Sequence, residues 1–309
     1  MTNNNIITNS GRKIIINRSS TNSPSYTAAS QYKIGISNST PAIADTNLAI
    51  PIPILSGTVN DNGDNTLTGS GGGDNSTDNS TTYKEGAGLT ENKAQNLIAN
   101  GTSITKTWTI ANLATLGAII TATSFIGLWF YIKDATAYAK FLTAGTAVDV
   151  RFRTNGDAAN KYYQIVKTQA NLAVGWNWIT GNTTAVNALT QGAGGAPSGT
   201  INEFVIIITT NNATDTFVAG DVVYDLLRQW VSTDINKNFD SGYPVIDETN
   251  FETEIRGTIA STQANGFNIN GFGLFNTDGT VLMSEESTFN AQSKSSTDQF
   301  IFITKWRLT

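Results

Sequence analysis

Short apolar or alternating runs, bounded by turn residues, recur along the whole chain. Ile14-Ile15-Ile16, Tyr32-Lys33-Ile34-Gly35-Ile36, the run from Phe204 to Thr209 and Phe300-Ile301-Phe302-Ile303 each have the length and β-branched content of a strand. Asn-Gly, a dipeptide whose residues both tolerate positive φ, occurs at Asn62-Gly63, Asn100-Gly101, Asn155-Gly156, Asn265-Gly266 and Asn270-Gly271, as tight hairpin turns require. The clearest predicted hairpin pairs residues 272–275 with 280–283 across Asn276-Thr277-Asp278-Gly279. Helix signals are thin. Residues 90–99 and 221–230 could each form two turns, and the second reads equally well as a strand. The pattern predicts an all-β fold.

One uncharged stretch, residues 107–132, ends in Phe125-Ile126-Gly127-Leu128-Trp129-Phe130-Tyr131-Ile132. A spanning helix needs about 20 predominantly apolar residues. Here Thr107, Thr109, Asn112, Thr115, Thr121, Thr123 and Ser124 dilute the run, and β-branched residues favour strands, so two buried strands and a connection are expected, with no membrane contact. The N-terminal Met1-Thr2-Asn3-Asn4-Asn5 has neither the basic nor the apolar region of a signal peptide.

Composition divides the chain. Residues 56–82 are nearly all Gly, Asn, Asp, Ser and Thr, with Val59 and Leu67 the large apolar exceptions, and read as a flexible linker or long exposed loop. A shorter polar segment covers residues 232–242. The intervening segment, 83–232, is long enough for one β-sandwich. The flanking pieces, 1–55 and 235–309, are each small for a stable β-domain, and together they predict one discontinuous outer β-sandwich into which the middle segment is inserted.

The length of 309 residues agrees with roughly two domains. Charged residues are 14% of the chain, against about 25% in an average globular protein. Cysteine and histidine are both absent, which excludes thiol nucleophiles, Cys or His zinc sites, haem ligation by His, Ser-His-Asp triads and imidazole acid–base catalysis. No disulfide holds the fold, so an apolar core must. A net charge of -5 with few Lys and Arg argues against nucleic-acid binding, which rests on neutralising phosphates.

The remaining motifs are mostly ordinary. Asn-X-Ser/Thr sequons, at Asn38, Asn75, Asn79, Asn100, Asn182 and Asn212 among others, arise by chance in so Asn- and Thr-rich a chain. Residues 234–240 have the alternating oxygens of a calcium loop, but Phe239 replaces the turn glycine and Val245 the closing bidentate Glu, so a plain turn is expected. Glu252 and Glu254 would share one face of an extended strand, as a solvated pair, and Glu285-Glu286 shows no spacing across a cleft. Gly71-Gly72-Gly73 lacks the Lys and helix of a phosphate loop. The aromatics carry more. Trp176 and Trp178 fall on the same face of a strand, where such a pair fills a sandwich core or forms a platform for a sugar ring, and core packing is the more ordinary use. Tyr162 and Tyr163 point to opposite faces, leaving one exposed.

Two resemblances extend this reading. The middle segment, through Tyr83-Lys84-Glu85-Gly86, Leu128-Trp129-Phe130-Tyr131-Ile132-Lys133-Asp134, Gly175-Trp176-Asn177-Trp178 and Val222-Val223-Tyr224-Asp225-Leu226-Leu227, is similar to jelly-roll modules of carbohydrate-binding and concanavalin-like type. The resemblance implies glycan contact through Trp176, Trp178, Tyr162 and Tyr163, and a structural calcium (Ca2+) on Glu85 and Asp225. The flanks resemble tailed-phage virion structural proteins, through Ile6-Ile7-Thr8-Asn9-Ser10-Gly11, Tyr32-Lys33-Ile34-Gly35-Ile36, Asp45-Thr46-Asn47-Leu48, Gly273-Leu274-Phe275-Asn276 and Lys294-Ser295-Ser296. That resemblance implies a non-enzymatic protein on the particle surface, of capsid decoration or head-fibre type, forming homo-oligomers and contacting other capsid or tail proteins. The alternative is a tail- or fibre-associated adhesion protein contacting host or environmental glycans.

Overall fold

The computed structural model describes residues 4–21, 25–36, 40–55, 58–61, 63, 65–70, 73–84, 93–113, 124–181, 189–277 and 279–307. The chain divides into two compact units: Met1–Ser56 with Ser232–Thr309, here the split unit, and Gly57–Glu85 with Leu89–Val231, the central unit. The split unit opens with β1 (Asn4–Ile7), α1 (Asn9–Ser20) and β2 (Ala29–Gly35). The central unit follows with β3 (Thr58–Asp61), β4 (Thr68–Ser70), β5 (Asn75–Asn79), β6 (Ala94–Ile98), β7 (Thr105–Ile110) and β8 (Ser124–Ile132). After a short α2 (Ala135–Ala139) come β9 (Val148–Arg153), β10 (Tyr163–Lys167), β11 (Gly175–Thr180), β12 (Thr190–Gln191), β13 (Glu203–Thr209) and β14 (Val222–Val231). The split unit resumes with β15 (Lys237–Asn238), β16 (Val245–Asp247), β17 (Glu252–Ile259), β18 (Asn268–Asn276), β19 (Leu282–Ser293) and β20 (Phe300–Arg307). The fold is all-β in class, and every ladder between these strands is antiparallel.

In the central unit one sheet runs β11-β8-β14-β6-β5-β4-β7-β13-β9-β10-β12, with β3 added beside β14. Phe204 on β13 and Tyr224 on β14 lie five places apart in that order, which would separate them by about 24 Å in a flat sheet. Their ring centroids are 5.2 Å apart, so the sheet folds over on itself into a sandwich. Leu128, Phe130, Val150, Phe152, Phe204, Ile206, Ile208 and Tyr224 fill the space between the halves. The expected strand pair within residues 107–132 is present as β7 and β8. Among the described residues no helix is long and apolar enough to cross a membrane.

The split unit stacks two sheets, β1-β19-β18-β2-β15 and β16-β17-β20. Phe272 on β18 stacks on Phe302 of β20 at 4.8 Å, and the Tyr32 hydroxyl donates to the Thr258 carbonyl at 2.8 Å. The predicted hairpin is the β18–β19 connection, although Asp278 lies outside the described residues.

Four expectations are corrected. Residues 56–82 are not a linker throughout, because β3, β4 and β5 lie within them. These strands satisfy polar groups instead of burying apolar ones: Ser76 Oγ accepts from the Leu67 amide at 2.7 Å, and Asn79 Nδ2 donates to Asn96 Oδ1 at 2.8 Å. Ile14-Ile15-Ile16 lies in helix α1, not a strand. Thr8 caps that helix by accepting the Gly11 amide at 3.0 Å, and only Gly fits at position 11, where a Cβ would fall 2.1 Å from the Met283 carbonyl oxygen. The described part of 90–99 is strand β6, not helix, whereas 221–230, which reads equally well as a strand, is one, β14. Of the Asn-Gly pairs, Asn270-Gly271 is inside β18 and makes no turn.

Candidate functional site

Strand β8 is apolar on both faces. Its even residues, Ile126, Leu128, Phe130 and Ile132, enter the sandwich core. Its odd residues, Phe125, Gly127, Trp129 and Tyr131, therefore occupy the opposite face. Register extends that face onto the flanking strands: on β11, Trp176 lies opposite Tyr131 and Trp178 opposite Trp129; on β14, Asp225 lies opposite Trp129, Arg228 opposite Gly127 and Trp230 opposite Phe125.

An aromatic array results. Trp129 and Trp178 are 5.1 Å apart between centroids, Trp178 stacks on Trp230 at 5.6 Å, and Trp230 stacks on Phe125 at 6.2 Å. At the other end Trp176 leans on Tyr131 at 5.1 Å and meets Trp129 edge-on at 6.4 Å. Gly127 makes the array possible, since a Cβ there would stand 2.5 Å from the Trp178 ring and 3.0 Å from the Trp230 ring. Trp129, Trp178 and Trp230 are buried, while Trp176 and Tyr131 are half-buried and form the accessible end. β11 is the last strand of its half-sheet, so Trp176 stands at a sheet edge. The Lys84 ammonium lies 4.3 Å from the Trp129 centroid and 5.9 Å from that of Trp176, close enough for cation–π attraction. Burial holds the Lys84 pKa down at about 8, against the pull of Asp225.

Asp225 sits beneath this end, fully buried. Its Oδ2 accepts the Lys84 amide at 2.6 Å, while its Oδ1 has no hydrogen-bond partner among the described residues. Burial pushes its carboxyl up to about 8, opposed by the amides of Lys84 and Leu226; Asp61 adds to the rise and Arg228 counters it. A β-bulge between Asp225 and Arg228, with Leu226 at φ 52°, sets this geometry. Asp61 is already engaged, accepting the Tyr224 hydroxyl at 2.7 Å and the side chain of Asn65 at 2.9 Å. Calcium takes six to eight oxygens. Among the described residues Asp225 Oδ1 is the one buried side-chain oxygen here without a hydrogen-bond partner, it lies near a guanidinium, and no group of three or more acidic side chains could hold a metal ion. They do not complete a calcium shell, and Glu85 lies outside them.

The four aromatic candidates do not converge. Trp176 and Trp178 share the array, and neither belongs to the sandwich core that the ordinary reading of the pair favoured. Tyr163 packs against that core. Tyr162 faces outward from the other half-sheet, where the Arg151 guanidinium lies 4.1 Å from its ring and a Cβ at Gly192 would come within 2.7 Å of it, so its ring is already occupied. Sequence reasoning missed Trp129, Tyr131, Trp230 and Lys84 as members of a site. The signal was a strand apolar at odd and even positions alike, which marks cover on both faces.

The carboxylate pairs are structural. Lys305 Nζ bridges Glu252 at 3.0 Å and Glu254 at 2.9 Å on an outer sheet face. Glu285 is buried against Asp45, on the opposite face of β19 from Glu286. In the rejected calcium loop, Lys237 Nζ donates to Gln263 Oε1 at 2.9 Å.

No family model and no curated protein matches this sequence. Among solved structures, the chain is similar to SGBP-B from a complex xyloglucan utilization locus in Bacteroides uniformis, at 11% identity and a TM-score of 0.33, covering 56% of this chain and about half (49%) of that one. It is also similar to a structure of carbohydrate-binding modules from the β-sandwich superfamily, at 11% identity and a TM-score of 0.36, covering 66% of this chain and 85% of that one.

Proposed function

We propose that the chain is a non-enzymatic binding protein whose central unit contacts glycan at the Trp176 end of the aromatic array. The observation that carries this reading is Trp176 itself. It is a half-exposed indole on a sheet edge, backed by Tyr131 and Trp129, with the Lys84 ammonium beside it. A pyranose ring has an apolar face that stacks on indole and a rim of hydroxyls that a cation can bind. Catalysis finds no support in the side chains. The sequence has no His or Cys; of the carboxylate pairs, Glu252 and Glu254 share Lys305, and Glu285 is turned to Asp45, away from Glu286.

Trp176→Ala should weaken polysaccharide binding about tenfold or more, equivalent to about 1.4 kcal/mol, while far-ultraviolet dichroism and the cooperativity of unfolding stay those of the parent. Titration of the full chain with a panel of soluble polysaccharides checks this. An intact protein that binds no member of the panel, or a variant that binds as well as the parent, ends the reading. Tyr163→Ala cannot discriminate, because Tyr163 supports the core.

A second reading is that the split unit attaches the chain to a phage particle, with the central unit contacting glycan from the virion surface. It rests on the motif resemblance and on one surface feature. β20 has β17 on one side only, exposes Ile301 at 47% and Ile303 at 55%, and borders a groove of about 400 Å³ lined by Phe272, Phe289 and Phe302. Strand pairing and apolar packing of that kind would suit assembly with other virion proteins. Co-sedimentation with purified particles, lost on Ile301→Lys with Ile303→Lys, is the expected result. Absence of the chain from particles excludes this placement and leaves the glycan reading untouched.

A further inference from the structure

The split unit carries a second unusual grouping, remote from the aromatic array in sequence. Residues 45–48 form a strap across one face of the five-stranded sheet. Beneath it, Lys33 on β2, Gly273 on β18 and Glu285 on β19 form one cross-strand row. Asp45 hydrogen-bonds Glu285 at one end, Leu48 fills the space left by Gly273, and Asn47 meets Lys33 at the other end.

Lys33 is buried, at 9% exposure. Among the described residues its one hydrogen-bond acceptor is Asn47 Oδ1, at 3.4 Å, and the Phe275 ring centroid lies 4.1 Å from Nζ. A buried ammonium normally gathers several acceptors. Lys294 in the same unit does so, donating to Asn265 Oδ1 at 2.7 Å, the Ser295 carbonyl at 2.6 Å and the Ser261 carbonyl at 3.2 Å. Lys33 has no such shell: one long hydrogen bond and the face of one ring are what offset its burial. Burial accordingly holds its pKa down at about 8, so a substantial fraction carries a lone pair at mildly alkaline pH. The facing amide is activated: the Leu48 N–H donates to Asn47 Oδ1 at 3.0 Å, drawing electron density from the side-chain carbon.

We propose that Lys33 and Asn47 join in an intramolecular isopeptide bond that fastens the strap to β2. The Nζ lone pair adds to the Asn47 side-chain carbonyl carbon and a C–N bond forms. The bond to Nδ2 breaks, a proton passes from Nζ to the departing nitrogen, and ammonia leaves. No oxidant, reductant or further reactant enters. The product replaces a poorly solvated amine with a neutral amide, and it closes a covalent loop between residues 33 and 47, which restricts the unfolded chain as a disulfide would in a sequence that has none.

Intact-mass measurement of the full chain after incubation at pH 8 tests this. The expected mass is that of the sequence less one ammonia. Trypsin should fail to cleave after Lys33, giving residues 19–84 as one fragment with the same deficit. Missed cleavage separates the cross-link from a succinimide at an Asn-Gly pair, which also loses ammonia but leaves Lys33 open to trypsin. Lys33→Arg and Asn47→Ala should each restore the full mass. A parent chain that keeps its full sequence mass, or that is cut normally after Lys33, overturns the proposal whether or not the variants fold.

Discussion

Gly127→Ala should destabilise the central unit by about 3 kcal/mol, although it adds only one methyl group. The new carbon would stand 2.5 and 2.8 Å from two atoms of the Trp178 ring and 3.0 Å from Trp230. Neither ring has room to retreat, because Trp178 is held by Trp129 at 5.1 Å and Trp230 by Phe125 at 6.2 Å. The added methyl must therefore shift the strand or break the stack. Chemical denaturation followed by tryptophan fluorescence measures this unit almost alone, since five of the six tryptophans lie in it and only Trp306 lies outside. Trp178→Phe removes the ring edge that the methyl meets, so in the double variant the cost of Gly127→Ala should fall to below about 1 kcal/mol. A single variant as stable as the parent would mean that the array is loosely packed. Trp176 would then lack a rigid backing for a sugar ring.

The aromatic array also shows where sequence pattern reaches its limit. Strands are legible from sequence as short runs rich in β-branched and aromatic residues between turn signals, and β13, β20 and the β18–β19 hairpin with its Asn276-Thr277-Asp278-Gly279 turn were legible for that reason. β8 offers no alternation, so its second face could not be read until β11 and β14 were placed beside it. The pairing of Trp176 with Trp178 on one face was legible from spacing alone. Which face it was depended on the fold-over of the sheet, and that is set by contacts between residues such as Phe204 and Tyr224 that no local window contains. The failures at α1 and at residues 56–82 have opposite causes. In α1 three β-branched residues outvoted a Thr cap and a glycine whose importance comes from the Met283 carbonyl, distant in sequence. In residues 56–82 the expectation that strands need apolar side chains failed, because Ser76, Asn79, Gln95 and Asn96 complete a polar hydrogen-bonded seam. The Lys33–Asn47 contact was invisible for the same reason as the array: it needs the strap and the sheet in register.

Asp225→Asn should remove most of a pH dependence that the parent shows between about pH 4 and pH 8. With its pKa pushed from 3.8 up to about 8, Asp225 keeps its proton in the folded chain over a range where the unfolded chain has lost it. Folding then takes up a proton, so the stabilising contribution is fully present below pH 4 and is lost as pH rises through 8. A displacement of about four pH units corresponds to a loss on the order of 5 kcal/mol. Asparagine keeps an acceptor for the Lys84 amide and fills the same volume without a charge to bury, so its curve should be nearly flat where the parent falls. Glu285, pushed up to about 7 by burial and by Asp45, and Asp149, raised by burial, slope the same way in both proteins and cancel in the comparison. The difference between the two unfolding free energies, measured by tryptophan fluorescence at pH 4, 6 and 8 in the presence of a chelator, should therefore grow in favour of the variant as pH rises. Calcium provides the contrary outcome. If adding it abolished the parent's loss at pH 8 and left Asp225→Asn unchanged, the carboxylate would be ionised and holding an ion with residues outside those described. The neutral-acid account of Asp225 would then be wrong. If calcium had no effect and the parent still lost stability by pH 8, Asp225 would be a buried acid kept neutral by its surroundings, and the Trp176 end of the array would rest on a support that weakens in alkaline solution.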